Sequence, residues 1–130
     1  MIGVPRGVSV YAYDEPCDMR KSYNTLGALV EQSMKLELTD GDLFLFVSRN
    51  RKRAKVLYFD GTGLCLFAKR LDQGRFAAPW KRHHQRGKLE LTLSELSLLI
   101  EGSEAVRKAL SPPLIRKADL KIEVGRRQLI

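Results

Sequence analysis

The residues of this chain best equipped for chemistry are its cations. Arg49, Arg51, Lys52 and Arg53 crowd one short stretch, and Lys55, Lys69, Arg70, Arg75, Lys81, Arg82, Arg86 and Lys88 follow it. Residues 49–88 therefore hold twelve Lys and Arg against Asp60 and Asp72 alone, a net charge of +10. The other ninety residues hold eleven Lys and Arg against thirteen Asp and Glu, a net charge of −2. The whole excess of +8 thus belongs to the central third. Guanidinium and ammonium groups gathered in this way displace condensed counterions from a polyanion and speed its capture, so nucleic acid is the first candidate ligand. A solvated basic surface with no ligand is the plain alternative. An anionic membrane surface is disfavoured, because no amphipathic helix with a basic face is evident.

Other chemistry finds little support. His83 and His84 are adjacent, so in extended chain they point apart. Cys17 and Cys65 are the only cysteines, too few for a disulfide scaffold or a four-cysteine zinc site. The apolar neighbours of Cys65, Leu64 and Leu66, mark it as a buried structural thiol. Asp60-Gly61-Thr62-Gly63 lacks the Gly-Lys-Ser/Thr of a phosphate-cradling loop, and no CxxC, HExxH or GxSxG occurs. Asp14, Asp18, Asp40, Asp42, Asp60 and Asp72 sit at turns and caps, where local roles explain them better than a two-metal site does. No catalytic residue, metal ligand or cofactor is expected. Among the aromatics of the basic segment, Tyr58, Phe59 and Phe67 read as core. Phe76 and Trp80 fall in a loop, where they either anchor it or stack on exposed bases; anchoring is favoured.

The elements that position these residues follow from patterning. A chain of 130 residues, 44% hydrophobic and 29% charged, fits one globular domain. No apolar run approaches the roughly 20 residues of a bilayer span, and the first residues lack the apolar core of a secretory signal; a cytoplasmic protein is expected. Residues 8–13 alternate as a strand. The spacing of Met19, Tyr23, Leu26, Leu29, Val30 and Met34 predicts one long helix with Asp18 as its N-cap. Three strands follow: Leu43 to Ser48, Ala54 to Phe59 and Leu64 to Lys69, separated by the polar turn 49–53 and the glycine turn 60–63. Two tight turns in succession imply an antiparallel meander, which the first strand is expected to join at an edge. Apolar residues on both faces of the second strand imply a covered sheet. Residues 71–87 read as a basic loop, Lys88 to Leu91 as a short strand, and Leu93 onward as a helix capped by Thr92 or Ser94 and closed by Gly102. A further short helix is expected from Ser103 to Leu110. The fold class is α+β: a single domain over 1–110, with three to five strands packed on one long and one or two short helices. A tail follows over 111–130, with a possible late strand at Leu120, Ile122 and Val124.

Four pieces of the chain together resemble a known family. They are Asp18-Met19-Arg20-Lys21 with Leu26 and Leu29-Val30; Gly41-Asp42-Leu43-Phe44-Leu45-Phe46 with Asn50-Arg51; and Leu96-Ser97-Leu98-Leu99-Ile100-Glu101-Gly102. The fourth runs from Lys55 to Gly63 and on through Lys69-Arg70-Leu71, Gly74-Arg75-Phe76 and Pro79-Trp80. In order and spacing they resemble the TnpB-type accessory protein (second open reading frame) of the insertion-sequence-sixty-six transposon family, over about residues 5 to 103. The resemblance implies a bacterial mobile-element protein that assists transposition while a separate transposase performs the strand chemistry; it implies no catalytic residues. The stretch Lys81-Arg82-His83-His84-Gln85-Arg86 is more basic than the family pattern. With the charge distribution, the expectation is a non-catalytic accessory factor that binds DNA, such as the element ends, without a recognition helix. Arg49, Arg51, Lys52, Arg53, Lys69, Arg70, Arg75, Lys81, Arg82 and Arg86 are the expected phosphate contacts. The alternative is a protein-interaction adaptor for the transposase of the same element, and the third reading is a small metal-dependent nuclease.

Overall fold

The computed structural model describes residues 8–81 and 87–102. Its centre is one sheet of five strands: β1 (Val10–Tyr13), β2 (Leu43–Val47), β3 (Arg53–Phe59), β4 (Leu64–Arg70) and β5 (Lys88–Leu91), in the order β4-β3-β2-β1-β5. β2, β3 and β4 form the expected antiparallel meander. β1 joins the meander at its β2 edge, as expected, lying parallel to β2 with Val10 opposite Leu43. The connection from Tyr13 to Leu43 contains a helix and is long enough to return the chain to the same end, which parallel pairing requires. Beyond it β5 continues the sheet, antiparallel to β1 with Val10 opposite Leu91, so β1 is internal to the five strands and β5 forms the edge. The sheet is therefore mixed, and the fold is α+β.

Strand alternation divides the core between two faces. Val10, Ala12, Leu45, Val47, Ala54, Val56, Leu89 and Leu91 face one way, beneath Phe76, Ala77, Leu96 and Leu99. Phe44, Phe46 and Leu57 face the other way, beneath Cys17, Leu26, Val30 and Met34. Residues 44–47 of β2 are all buried, as expected of a central strand covered on both sides.

The first helix is shorter than the apolar spacing suggests. α1 (Tyr23–Ala28) continues as a π-helical segment, Leu29–Ser33, in which Met34 N–H reaches Leu29 O at 2.9 Å. Its cap is Ser22, whose N–H donates to Thr25 Oγ1 at 2.8 Å. Asp18 is not the cap. Its carboxylate accepts the Arg20 N–H at 2.9 Å and pairs with the Arg20 guanidinium at 2.7 Å. The carbonyls of Met19 and Lys21 are taken by Lys55 Nζ, at 2.8 and 2.7 Å. These bonds hold residues 18–21 as an irregular turn and delay the helix by one turn. α2 (Leu93–Glu101) begins as expected at Thr92, in a reciprocal capping box with Glu95. It stops at Gly102, where φ is 70° and a Cβ would stand 2.6 Å from a Leu71 methyl. The helix expected at Ser103–Leu110, the late strand and the boundary near residue 110 lie outside the described residues.

Candidate nucleic-acid interface

Strand direction decides where the cations go. Because β2 runs into the turn at 48–52 and β4 ends antiparallel to β3, Arg53 faces Arg70 across the sheet. The loop after β4 folds back onto the same turn. Leu71 N–H donates to Lys52 O at 2.8 Å, and Phe76 N–H donates to Arg51 O at 2.7 Å. Arg49, Arg51, Lys52, Arg53, Arg70 and Arg75 are thereby gathered at one end of the sheet. Arg49, Arg53, Arg70 and Arg75 are exposed there, and Arg51 and Lys52 half-buried. None of the six makes a side-chain hydrogen bond or ion pair to a described residue.

The turn that carries four of these charges is tightly built. Arg51 N–H closes it onto Ser48 O at 2.9 Å, and Ser48 N–H returns to Arg53 O at 2.9 Å. The buried Ser48 hydroxyl donates to Asn50 Oδ1 at 2.8 Å and accepts from Arg53 N–H at 3.1 Å. Asn50 Oδ1 also accepts Lys52 N–H at 3.0 Å. Arg51 is held in the left-handed region, with φ of 62°, where a non-glycine residue is uncommon.

Not every cation singled out in the sequence joins this cluster. Lys69 Nζ donates to Ile100 O at 2.8 Å, a bond that satisfies the carbonyl end of α2 and places positive charge at the negative end of its dipole. Lys81 is exposed at the end of a single 3₁₀ turn, Pro79–Lys81, which packs by β1, two strands from β3. Arg82 and Arg86 lie outside the described residues, as do His83 and His84. Arg20, which sequence reading missed as a member of the site, stands beside the cluster; its only signal was the Asp-x-Arg spacing. Arg20 holds the Asp18 carboxyl well below the usual range.

Between the 18–21 turn and the ends of β3 and β4 runs a groove. One part, about 400 Å³, is lined by Met19, Arg53, Lys55, Ala68 and Arg70 among others. The adjoining part, about 430 Å³, is lined by Arg20, Arg49, Asn50 and Arg53 beside Asp18 and Met19. Met19 and Arg53 belong to both. Lys55, by binding the two carbonyls of the turn, fixes the wall against the sheet.

The aromatic and acidic residues divide differently. Phe76 is fully buried and Trp80 packs half-buried on the same core, so both anchor the loop. Phe67, expected in the core, is 45% exposed, because β4 is an edge strand that α2 does not cover there. Cys65 is half-buried rather than buried, and desolvation and then Asp60 push its thiol up. Cys17 is the buried cysteine, and burial pushes its thiol up to about 11. The acids at the opposite end of the sheet build turns. Asp42 Oδ1 accepts Ser9 N–H at 3.2 Å. Asp60 Oδ1 accepts from Thr62 N–H, Thr62 Oγ1 and Gly63 N–H at 2.9–3.0 Å, bonds that lower its carboxyl to about 2. Among the described residues no three His, Cys, Asp or Glu side chains are placed to hold a metal ion.

These features define a small α+β protein, covered on both sheet faces, whose unpaired arginines among the described residues are gathered at one end. The chain matches the model of the family described as IS66 Orf2 like protein over residues 8–109, and it belongs to that family. That family is a transposon accessory family and not a known catalytic one, as the sequence resemblance implied. The chain is similar to two uncharacterized proteins of Sinorhizobium fredii (strain NBRC 101917 / NGR234). One, y4hO, is 36% identical over 102 residues, which cover 78% of this chain and 86% of the relative. The other, y4jC, is 33% identical over 112 residues, covering 86% and 93%. No solved structure is significantly similar. Among the described residues no helix is long and apolar enough to cross a membrane.

Proposed function

We propose that this protein is a non-catalytic accessory factor of transposition that binds DNA through the cationic end of its sheet. It acts beside the transposase of the same element in the bacterial cytoplasm. The observation that carries the reading is the gathering of Arg49, Arg51, Lys52, Arg53, Arg70 and Arg75 around one hydrogen-bonded turn, with no acidic partner among the described residues. The backbone that carries these charges is fixed by the bonds of the turn, and phosphate contacts set affinity and register without reading sequence. Arg82, Arg86 and Lys81 extend the same basic segment in sequence. Lys69 contributes to the field but has its ammonium committed to α2.

The test is a gel shift of the purified full chain on element-end DNA and on random DNA over a salt series. If roughly five phosphates are neutralised, log affinity falls with log salt at a slope of about −4 to −5, with little preference between the two DNAs. No binding at low salt, or an affinity indifferent to salt, refutes it. Co-purification with the transposase that survives nuclease treatment would instead support the adaptor role.

A further inference from the structure

We infer that the groove beside the cationic turn takes an unpaired DNA strand, so that the protein prefers single-stranded or frayed ends to blunt duplex. This rests on the DNA-binding reading above and names the form of the ligand. The first argument is size. The two parts of the groove, about 400 and 430 Å³, join through Met19 and Arg53. Each is an open depression whose volume matches that of a small-ligand site, roughly 300 Å³ or more. A duplex keeps its bases stacked inside and shows only their edges within its own grooves, so its backbone can touch the rim of such a groove but no base face can enter it. An unpaired strand can lay its backbone along the groove and turn bases into it.

The second argument is the distribution of groups. Arg49, Arg53 and Arg70 line the groove as cations free of described partners. Between them lie Met19 and the exposed Ala68, apolar surface that has no use for phosphate but can lie against the face of a base. Asn50 offers an amide at the far part, partly engaged in its turn. The third argument is rigidity. The wall at 18–21 is closed by Asp18 onto Arg20 and by Cys17 N–H onto Val47 O at 2.9 Å, and Lys55 ties it to β3. The groove is built before any ligand arrives, and the aromatic residues of the basic segment, Phe76 and Trp80, are anchored in the core and do not compete for the bases.

The experiment measures fluorescence anisotropy of labelled blunt duplex, the same duplex with a single-stranded extension, and a single strand of equal length, at one low salt concentration with the full chain. The extended duplex and the single strand are expected to bind several-fold more tightly than blunt duplex, less than the roughly tenfold or more that stacking on an aromatic side chain would give. Ala68→Ile fills the groove at an exposed edge-strand position without changing charge or adding an aromatic face, and removes the preference while sparing duplex affinity. Arg70→Gln, inside the groove, weakens the single strand more than the duplex; Arg75→Gln, outside it, weakens both alike. Equal affinity of the wild-type chain for all three probes, or a preference untouched by Ala68→Ile in a folded variant, overturns the inference and leaves DNA binding standing. Absence of binding to any probe overturns the DNA-binding reading itself.

Discussion

Replacing Ser48 by alanine removes one hydroxyl from the base of the cationic turn and leaves every charge in place. That hydroxyl donates to Asn50 Oδ1 at 2.8 Å and accepts from Arg53 N–H at 3.1 Å. Ser48 is only 8% exposed, so water is poorly placed to substitute for it. A neutral hydrogen bond contributes about 1 kcal/mol net, and a polar group left unpaired adds its own desolvation, so the two bonds together set the expected loss at about 1–2 kcal/mol. Against a total stability of roughly 5–15 kcal/mol this is a clear shift of the urea midpoint, with an unchanged m-value. The second readout is DNA affinity. Asn50 and Arg53 lose the group that orients them, so the guanidinium groups start from a wider range of positions and binding weakens several-fold. The slope against salt stays the same, because no charge has been removed. An Ser48→Ala protein with wild-type stability and wild-type affinity would refute the claim that this turn is preorganised.

Two further outcomes follow from the same geometry. Lys69→Gln shortens the reach to Ile100 O and costs about 1 kcal/mol of stability, a charge-assisted bond discounted for its partial exposure, while leaving the salt slope of DNA binding unchanged; a slope smaller by about 0.9 would return Lys69 to the phosphate contacts. The Asp60 carboxyl sits at about 2 in the folded chain against 3.8 when free, so its contribution is present above about pH 4 and is lost as the pH falls from 3.8 toward 2. Asp60→Asn therefore flattens that part of the urea-midpoint profile, and a variant as acid-sensitive as the wild type contradicts this account.

How far the fold was legible depended on whether local signals met competition. The β2–β3–β4 meander and α2 rest on adjacent residues: two tight turns, a capping box and a terminal glycine, each with a short-range mechanism. β1 was visible as a strand but not as an internal one. Its neighbours are chosen by a connection of some thirty residues and by β5, far away in sequence, and alternation within Val10–Tyr13 holds no information on either. The start of α1 was misplaced because Asp18 is a good cap in isolation. What overrides it is Lys55, thirty-six residues from Met19, which claims the carbonyls an earlier helical turn would need. In the site, the density of cations at 49–53 was plain. The pairing of Arg53 with Arg70 is a matter of register, and the commitment of Lys69 to α2 is a tertiary bond, so neither could be read from residue types.

The distribution of burial also argues where a partner must approach. Both faces of the central strands are occupied, one by α1 and its π-helical extension and the other by α2 and the 71–81 loop, and only the edge strand β4 is left partly open. What remains is the two edges and the two ends. The ends differ in kind: Asp60 spends its carboxylate on amides of its own turn and Asp42 on the distant Ser9 N–H, whereas the arginines at the other end have no described group to bind. Intramolecular bonds thus occupy these two acids and spare the arginines. A fold that needed those arginines only for solubility would gain nothing from building their backbone tightly around Ser48 and Asn50, with Arg51 in a strained conformation. Gathering like charges on one turn is unfavourable unless something anionic arrives, and that cost is the reason the proposed DNA contact is assigned to the cationic end rather than to either covered face.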